Sequence, residues 1–420
     1  MAQLTYSVTT SATGVNKVWR KVQGEVAQGF GFEVDEWNLM EDLKDYRIDV
    51  SAREITVPLD INEGAGIASI DEGSVEANPF TPNMEELTLN YVLFNGRFTA
   101  SVTAELLDTY QRAAELKRQL VYQSMKKIQD LARHWGDYFY GLSTGVLCQT
   151  STVATQSSGT YTLLNGYGQT TITNAALIAD KFKVSDRVAL IRAGALVTNA
   201  IGTVTAVTPA TPSIAVTWNG SVTSANLDNV VKANSIENTT IAGTDFNRGM
   251  TGLLDLSLTA SVHGLSSASV GNWSVAVADT TAGRWSGVKF HKGMQEIMFQ
   301  GGAKADTCII APGVYRDVLA LQQGALRFSD PFALELDGTI KGQGVKFFQS
   351  KRVPSSWVWM FAKDNVRKLN VMPRPDNQIT WGDGIRMENT SGYIFPVSLL
   401  TQLVTNNRKA IAYWNGQTEQ

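Results

Sequence analysis

Apolar and polar residues alternate from Glu54 to Ile61, with Ile55, Val57, Leu59 and Ile61 separated by Thr56, Pro58 and Asp60. That period belongs to a half-buried strand. A second run of the same kind carries Leu87, Leu89, Tyr91 and Leu93. The segment between them is rich in Gly, Pro and Glu and is far longer than a hairpin turn. The period then changes. From Glu105 to Tyr140 there is no Pro and the only Gly is Gly136, while Leu107, Ala114, Val121, Ile128 and Trp135 recur every seven residues. Tyr110, Leu131 and Tyr138 widen this stripe, and Gly141 ends it. The pattern predicts one helix of roughly 50 Å.

Residues 149–245 are rich in Thr, Ser, Ala, Asn and Gly, and no helical pattern interrupts them. Short β-like runs at 182–191, 201–207 and 212–218, with a turn signal at Asn219-Gly220, predict a small antiparallel barrel or sandwich inserted as its own domain. Beyond it, Arg284 to Phe299 reads as a helix with Val288, Met294, Ile297 and Met298 inward, closed by Gly301 and Gly302. Residues 307–311 form a buried strand running into Pro312, which suits a first helical turn. Val314, Val318, Leu319 and Leu321 follow at helical spacing. Further strands are expected at 345–348, 357–361 and 366–371, and a β-rich run from Tyr393 to Trp414. The first 50 residues read as an arm, with Val18, Trp19, Val22, Phe30, Phe32 and Trp37 scattered among polar positions.

Charge changes the picture of the first two strands. Between 54 and 104, eight acids (Glu54, Asp60, Glu63, Asp71, Glu72, Glu76, Glu85, Glu86) stand against one base, Arg97, a net of −7. A flap so charged buries little core of its own and is built to lie on another surface. Residues 284–420 hold 17 bases and 11 acids, a net of +6. The whole chain of 420 residues has net charge −3, which argues against a protein held on phosphates by a basic face. It has room for two or three domains. The N-terminus shows no basic, apolar leader, and no run approaches the ~18 apolar residues of a membrane span. Cys148 and Cys308 form no metal spacing and suit a reducing cytoplasm, so the sequons at Asn219, Asn238, Asn272 and Asn389 carry no glycosylation meaning.

Candidate chemistry is thin. Gly141-Leu142-Ser143-Thr144-Gly145 matches G-x-S-x-G, but a nucleophile elbow needs a strand before the Ser and a helix after it, and here a helix precedes. His134, His263 and His291 show no ligand spacing. Gly64-Ala65-Gly66 lacks a third Gly and a following helix, and no Walker pattern occurs. Trp357 and Trp359 alternate along one strand and read as core rather than as a base-stacking platform. The residues call for no enzyme activity, no cofactor and no metal.

The order of elements resembles the major capsid protein of tailed double-stranded DNA bacteriophages, the Hong Kong 97 phage fold. Ile309-Ile310-Ala311-Pro312-Gly313-Val314-Tyr315, Gly342-Gln343-Gly344-Val345, Val353-Pro354 and the run from Trp357 to Leu369 resemble that family's C-terminal third. The resemblance implies an α+β capsid fold. It comprises an N-terminal arm (1–50), an extended acidic β-flap (51–104) and a spine helix of the peripheral domain (105–148). An inserted β-barrel-like domain (149–245), a peripheral segment with a second helix (246–305) and an axial domain (306–392) follow. A C-terminal β-run (393–420) returns to the peripheral domain. The implied activity is self-assembly into hexamers and pentamers of an icosahedral shell enclosing packaged double-stranded DNA, in a virion put together in the bacterial cytoplasm. Expected partners are further copies, a separate scaffolding protein, a portal, decoration proteins, and DNA contacted without sequence preference. The flap has no Lys between Lys44 and Lys117, so the lysine-based cross-link of the type phage is not available from it. The expected contact sets Glu72, Glu76, Glu85 and Glu86, with Arg97 beside them on the flap, against Lys341, Lys346, Lys351 and Arg352 of a neighbour. An encapsulin-like compartment shares the fold. Readings from other classes are a β-rich surface adhesin and a hydrolase using Ser143.

Overall fold

The computed structural model describes residues 39, 43, 45–47, 54–60, 84–90, 92–101, 114–172, 178–233, 249–267, 270, 273–325, 341–342, 344–370, 379–381, 385–386 and 392–418. They form two compact units.

The first unit holds the long helix α1, Ala114–Phe139, and a small sheet. The strand Val92–Ser101 pairs antiparallel along its whole length with Gly392–Thr401, Phe98 opposite Phe395, and those two rings stack at 5.1 Å. Short strands at Ile379–Trp381 and Ile385–Arg386 flank Gly392–Thr401. From the arm, Asp45–Arg47 pairs parallel with Lys368, Leu369 and Asn370. Helix α1 buries Leu120, Ser124, Ile128, Leu131, Trp135 and Tyr138, whereas Val121 of the expected heptad stripe is only half-buried. A straight helix turns in 3.6 residues, so its contact line drifts off a strict repeat of seven. Residues 105–113 of the expected helix lie outside the described residues.

The second unit is organised by a six-stranded sheet. Its order is Val277–Asp279, Ile411–Trp414, Val358–Phe361, Thr307–Ile310, Val345–Gln349, Lys341–Gly342. Every residue of the three strands 411–414, 358–361 and 307–310 is buried, so both sheet faces are covered. Directly paired residues share a face. Trp414 lies opposite Val358, and Ala412 opposite Met360. Helix α3, Gly287–Gly301, covers this side through Phe290, Gly293 and Ile297. Trp285 meets Trp414 edge-on at 4.8 Å. On the reverse face Trp359 donates its indole N–H to Ser257 Oγ, 3.0 Å away in helix α2, Leu253–Leu258, and stacks with Tyr140. Trp357 and Trp359 are fully buried, as core residues should be. Helix α4, Pro312–Ala325, leaves the strand Thr307–Ile310 through Ala311 and buries Val314, Tyr315 and Val318.

The inward face expected for α3 needs correcting. Val288 and Met298 are 78% and 54% exposed. Gly293 decides the orientation, because a Cβ there would stand 2.4 Å from Trp414 Cη2. Only a glycine face lets the helix come this close to the sheet.

Residues 148–232 close into a barrel of six antiparallel strands. Around the barrel they run Asp228–Lys232, Cys148–Thr150, Val153–Gly166, Ser213–Ser224, Ala195–Thr208 and Arg187–Arg192. Tyr161, Leu163, Val188, Leu190, Ile214, Val216 and Trp218 are buried, and Trp218 Nε1 donates to Tyr161 Oη at 2.6 Å. The Asn219-Gly220 pair makes no turn. It sits inside the strand Ser213–Ser224, where Gly220 leaves room for the Asn199 side chain. The tight hairpin is instead at Ala193-Gly194, both with positive φ (50° and 80°), joining Arg192 to Ala195.

The acidic ribbon also belongs to this unit. Glu54–Asp60 and Met84–Asn90 pair antiparallel, Glu54 opposite Asn90 and Asp60 opposite Met84. Residues 61–83, with Glu72 and Glu76, lie outside the described residues.

Candidate functional site

Of the four acids expected at a subunit contact, Glu85 and Glu86 lie among the described residues. Glu85 and Glu86 are adjacent on one strand, and adjacent side chains point to opposite faces. Glu86 is exposed. Glu85 is half-buried on the face that carries Leu87 and Leu89, both buried. The two carboxylates therefore do not make one acidic face.

The bases expected to oppose them are partly gathered by the sheet register. Lys341 lies directly opposite Lys346 on the outermost strands of the six-stranded sheet. Lys346 is exposed, and its backbone N–H donates to Asp306 O at 2.8 Å. Lys304 joins this edge: a Cβ at Gly344 would stand 3.8 Å from its Nζ. Sequence reasoning missed Lys304, because only the pairing of distant strands brings it there. Lys351 is exposed beyond the strand, and Arg352 is half-buried with its N–H donating to Ser350 Oγ. Arg97 is exposed on Val92–Ser101 in the first unit, opposite Pro396.

Where the ribbon is anchored, the geometry is tighter. Ser261–Val262 and Leu265–Ser266 form a two-residue hairpin whose turn residues, His263 and Gly264, have φ of 53° and 80°. This is the primed turn that such a hairpin favours. The His263 carbonyl accepts the Thr88 N–H at 2.9 Å, and Leu87 packs with Leu265, Val270 and Trp273. His263 Nε2 in turn accepts the Thr405 N–H at 3.4 Å. Burial, seconded by the nearby Arg408 guanidinium, holds the His263 pKa down at about 4, so the imidazole is neutral. Arg408 is itself buried and donates to the carbonyls of Leu256, Thr259 and Trp273 at 3.0 to 3.2 Å. Neither His263 nor Arg408 announces itself in the sequence. The one local signal is the His-Gly pair between two short apolar runs.

Elsewhere the chemistry is quiet. Ser143 stands in a loop between α1 and the strand Cys148–Thr150, and its N–H donates to Asp255 Oδ2 at 3.3 Å. The strand, turn and helix of a nucleophile elbow are not around it. Burial pushes the Cys148 thiol up to about 12 and the Cys308 thiol upward too, so neither is a ready nucleophile. Among the described residues no group of His, Cys, Asp and Glu could hold a metal ion, and no helix is long and apolar enough to cross a membrane.

No family model and no curated protein matches the chain. Among solved structures, the capsid asymmetric unit of cyanophage A-1(L) is similar at 10% identity and a TM-score of 0.52, covering 92% of this chain and 94% of that one. Mycobacterium phage Bobi aligns more loosely at 9% identity and a TM-score of 0.41, covering 91% and 90%. An encapsulin complex from Synechococcus elongatus does so at 11% and 0.39, covering 90% and 86%. The cyanophage match establishes the fold. This chain has the fold of a phage capsid subunit.

Proposed function

We propose that the chain is a major capsid protein whose activity is self-assembly into hexamers and pentamers of an icosahedral shell around packaged double-stranded DNA. The observation that carries this reading is the likeness to a cyanophage capsid subunit over nearly the whole of both chains. The form of the ribbon supports it. Its base is fixed by one small apolar cluster and a backbone bond to His263, while its sequence places most of its acids beyond that anchor. Such a ribbon is suited to lie on a neighbour, and a closed symmetric shell gives every copy one. The basic sheet edge of Lys304, Lys341 and Lys346 is a fitting counter-surface for Glu72, Glu76 and Glu86. Complementary charge steers and registers subunits more than it adds affinity. The 148–232 barrel is an elaboration on the capsid scaffold. A separate scaffolding protein, a portal and decoration proteins complete the proposed set of partners, with DNA held through weak, sequence-independent contacts.

Size-exclusion chromatography with light scattering tests the reading on the expressed chain. Capsomers or megadalton particles are expected. A species that stays at the 45.7 kDa of one chain across salt and concentration would overturn it.

A further inference from the structure

Helix α3 presents a continuous exposed stripe on the side turned away from the sheet. At 100° per residue, Val288, Gln295 and Phe299 form its centre, with His291 and Met298 on one flank and Lys292 and Glu296 on the other. Val288, Met298 and Phe299 are 78%, 54% and 74% exposed. Large apolar side chains set this way on a helix mark a contact surface. The stripe is also self-complementary. If two such helices pack antiparallel about a two-fold axis lying between them, each flank meets the same flank of its partner in reverse order. Val288 then faces the partner's Phe299, His291 faces the partner's Met298, and Lys292 faces the partner's Glu296, each twice. A parallel pairing sets each flank against the other one and leaves both charges without opposites.

We propose that this face of α3 is an isologous contact, packed antiparallel against α3 of a second copy of this chain. The proposal rests on the shell reading only in requiring that copies meet. The stripe is roughly 16 Å long from Val288 to Phe299, and one helix face of that size falls well below the ~1,200–2,000 Å² of a stable interface. No lasting isolated dimer is expected from it alone. Within the chain Lys292 already acts on Asp279, and Glu296 accepts from Gln300 Nε2 at 2.5 Å, so the charge pair sets register and orientation rather than strength. The contact becomes effective when other contacts of an assembly hold the copies close.

Cysteine capture tests this on the full-length chain. Both native thiols, Cys148 and Cys308, are buried and give little background. V288C/F299C should convert mostly to disulfide dimers under mild oxidation and stop at the dimer, while V288C and F299C alone should give at least fivefold less. In that background K292E should cut the yield about threefold, and K292E/E296K should restore it, because the swapped charges meet again across a two-fold. Electron microscopy of the same samples separates this proposal from the shell reading. Particles without dimers would overturn the α3 contact and leave the shell. Dimers with neither capsomers nor particles would keep the contact and sink the shell. Absence of both would overturn both. A ladder beyond the dimer would show a head-to-tail contact and contradict the two-fold.

Discussion

The carbonyl of His263 accepts the backbone N–H of Thr88 at 2.9 Å, tying the acidic ribbon to the turn of a separate hairpin. A non-glycine residue with a φ of 53° is uncommon, but histidine is among those that tolerate it, and here it also donates a function. Its ring nitrogen accepts the Thr405 N–H, so one residue holds two segments through two different atoms. That second bond needs an unprotonated Nε2.

Acid should therefore loosen this anchor. The folded pKa of His263, about 4, lies below the ordinary value of 6.5, so between the two the unfolded chain binds a proton that the folded chain refuses. Stability must fall as pH drops through that window, by roughly 3 kcal/mol at most. Denaturant titrations at pH 8 and pH 4.5 should show the wild type losing on the order of 2 kcal/mol more than His263→Asn, a residue that also accepts left-handed backbone. Equal losses would exclude His263 as the titrating anchor.

Gly293 is the second sensitive point. With Trp414 Cη2 2.4 Å from where its Cβ would lie, Gly293→Ala forces α3 off the sheet. A cost of about 1–3 kcal/mol in thermal unfolding is expected, the range for overpacking a core. Gly287→Ala has no neighbour within 4 Å and serves as the control.

Much of this fold could be read from residue order. The ribbon strands show as alternation, α1 as an unbroken helical stripe, and the sheet strands as short apolar runs. Which side of α3 faces in could not be read, because Val288, Met298 and Phe299 are as apolar as Phe290 and Ile297. A glycine and a distant tryptophan chose between the two faces. Asn219-Gly220 misled for a related reason: a pair that favours turns served as a close-approach point between strands. The candidate site was legible as charge alone. Lys341 and Lys346 can be named from charge alone, while Lys304 and His263 depend on contacts between residues far apart in the chain. Glu85 and Glu86 look alike in sequence, and the pleat of one strand sets them on opposite faces.

That separation is testable. Glu86→Lys, on the exposed face, should leave unfolding unchanged and slow or misdirect assembly at low salt, with ~0–1 kcal/mol at each repeated contact. The defect should come to resemble wild type at 1 M salt, where screening acts over about 3 Å. Glu85→Lys shares its face with Leu87 and Leu89 and should instead loosen the ribbon base, seen as faster proteolysis there. Light-scattering assembly curves beside limited digestion distinguish the two outcomes.

The barrel offers an independent check. Its strands close on one another and bury Tyr161, Val188, Ile214, Val216 and Trp218 within the segment. Residues 146–233 expressed alone should give β-type circular dichroism and one cooperative thermal transition. A random-coil spectrum would show that the barrel depends on the rest of the chain.

Electron microscopy of the purified full-length protein, alone and with a phage scaffolding protein, tests the central claim most directly. The account predicts closed polyhedral shells built of hexameric and pentameric capsomers, uniform when scaffold is present and aberrant or few without it. Fields of dispersed single subunits under both conditions would contradict it.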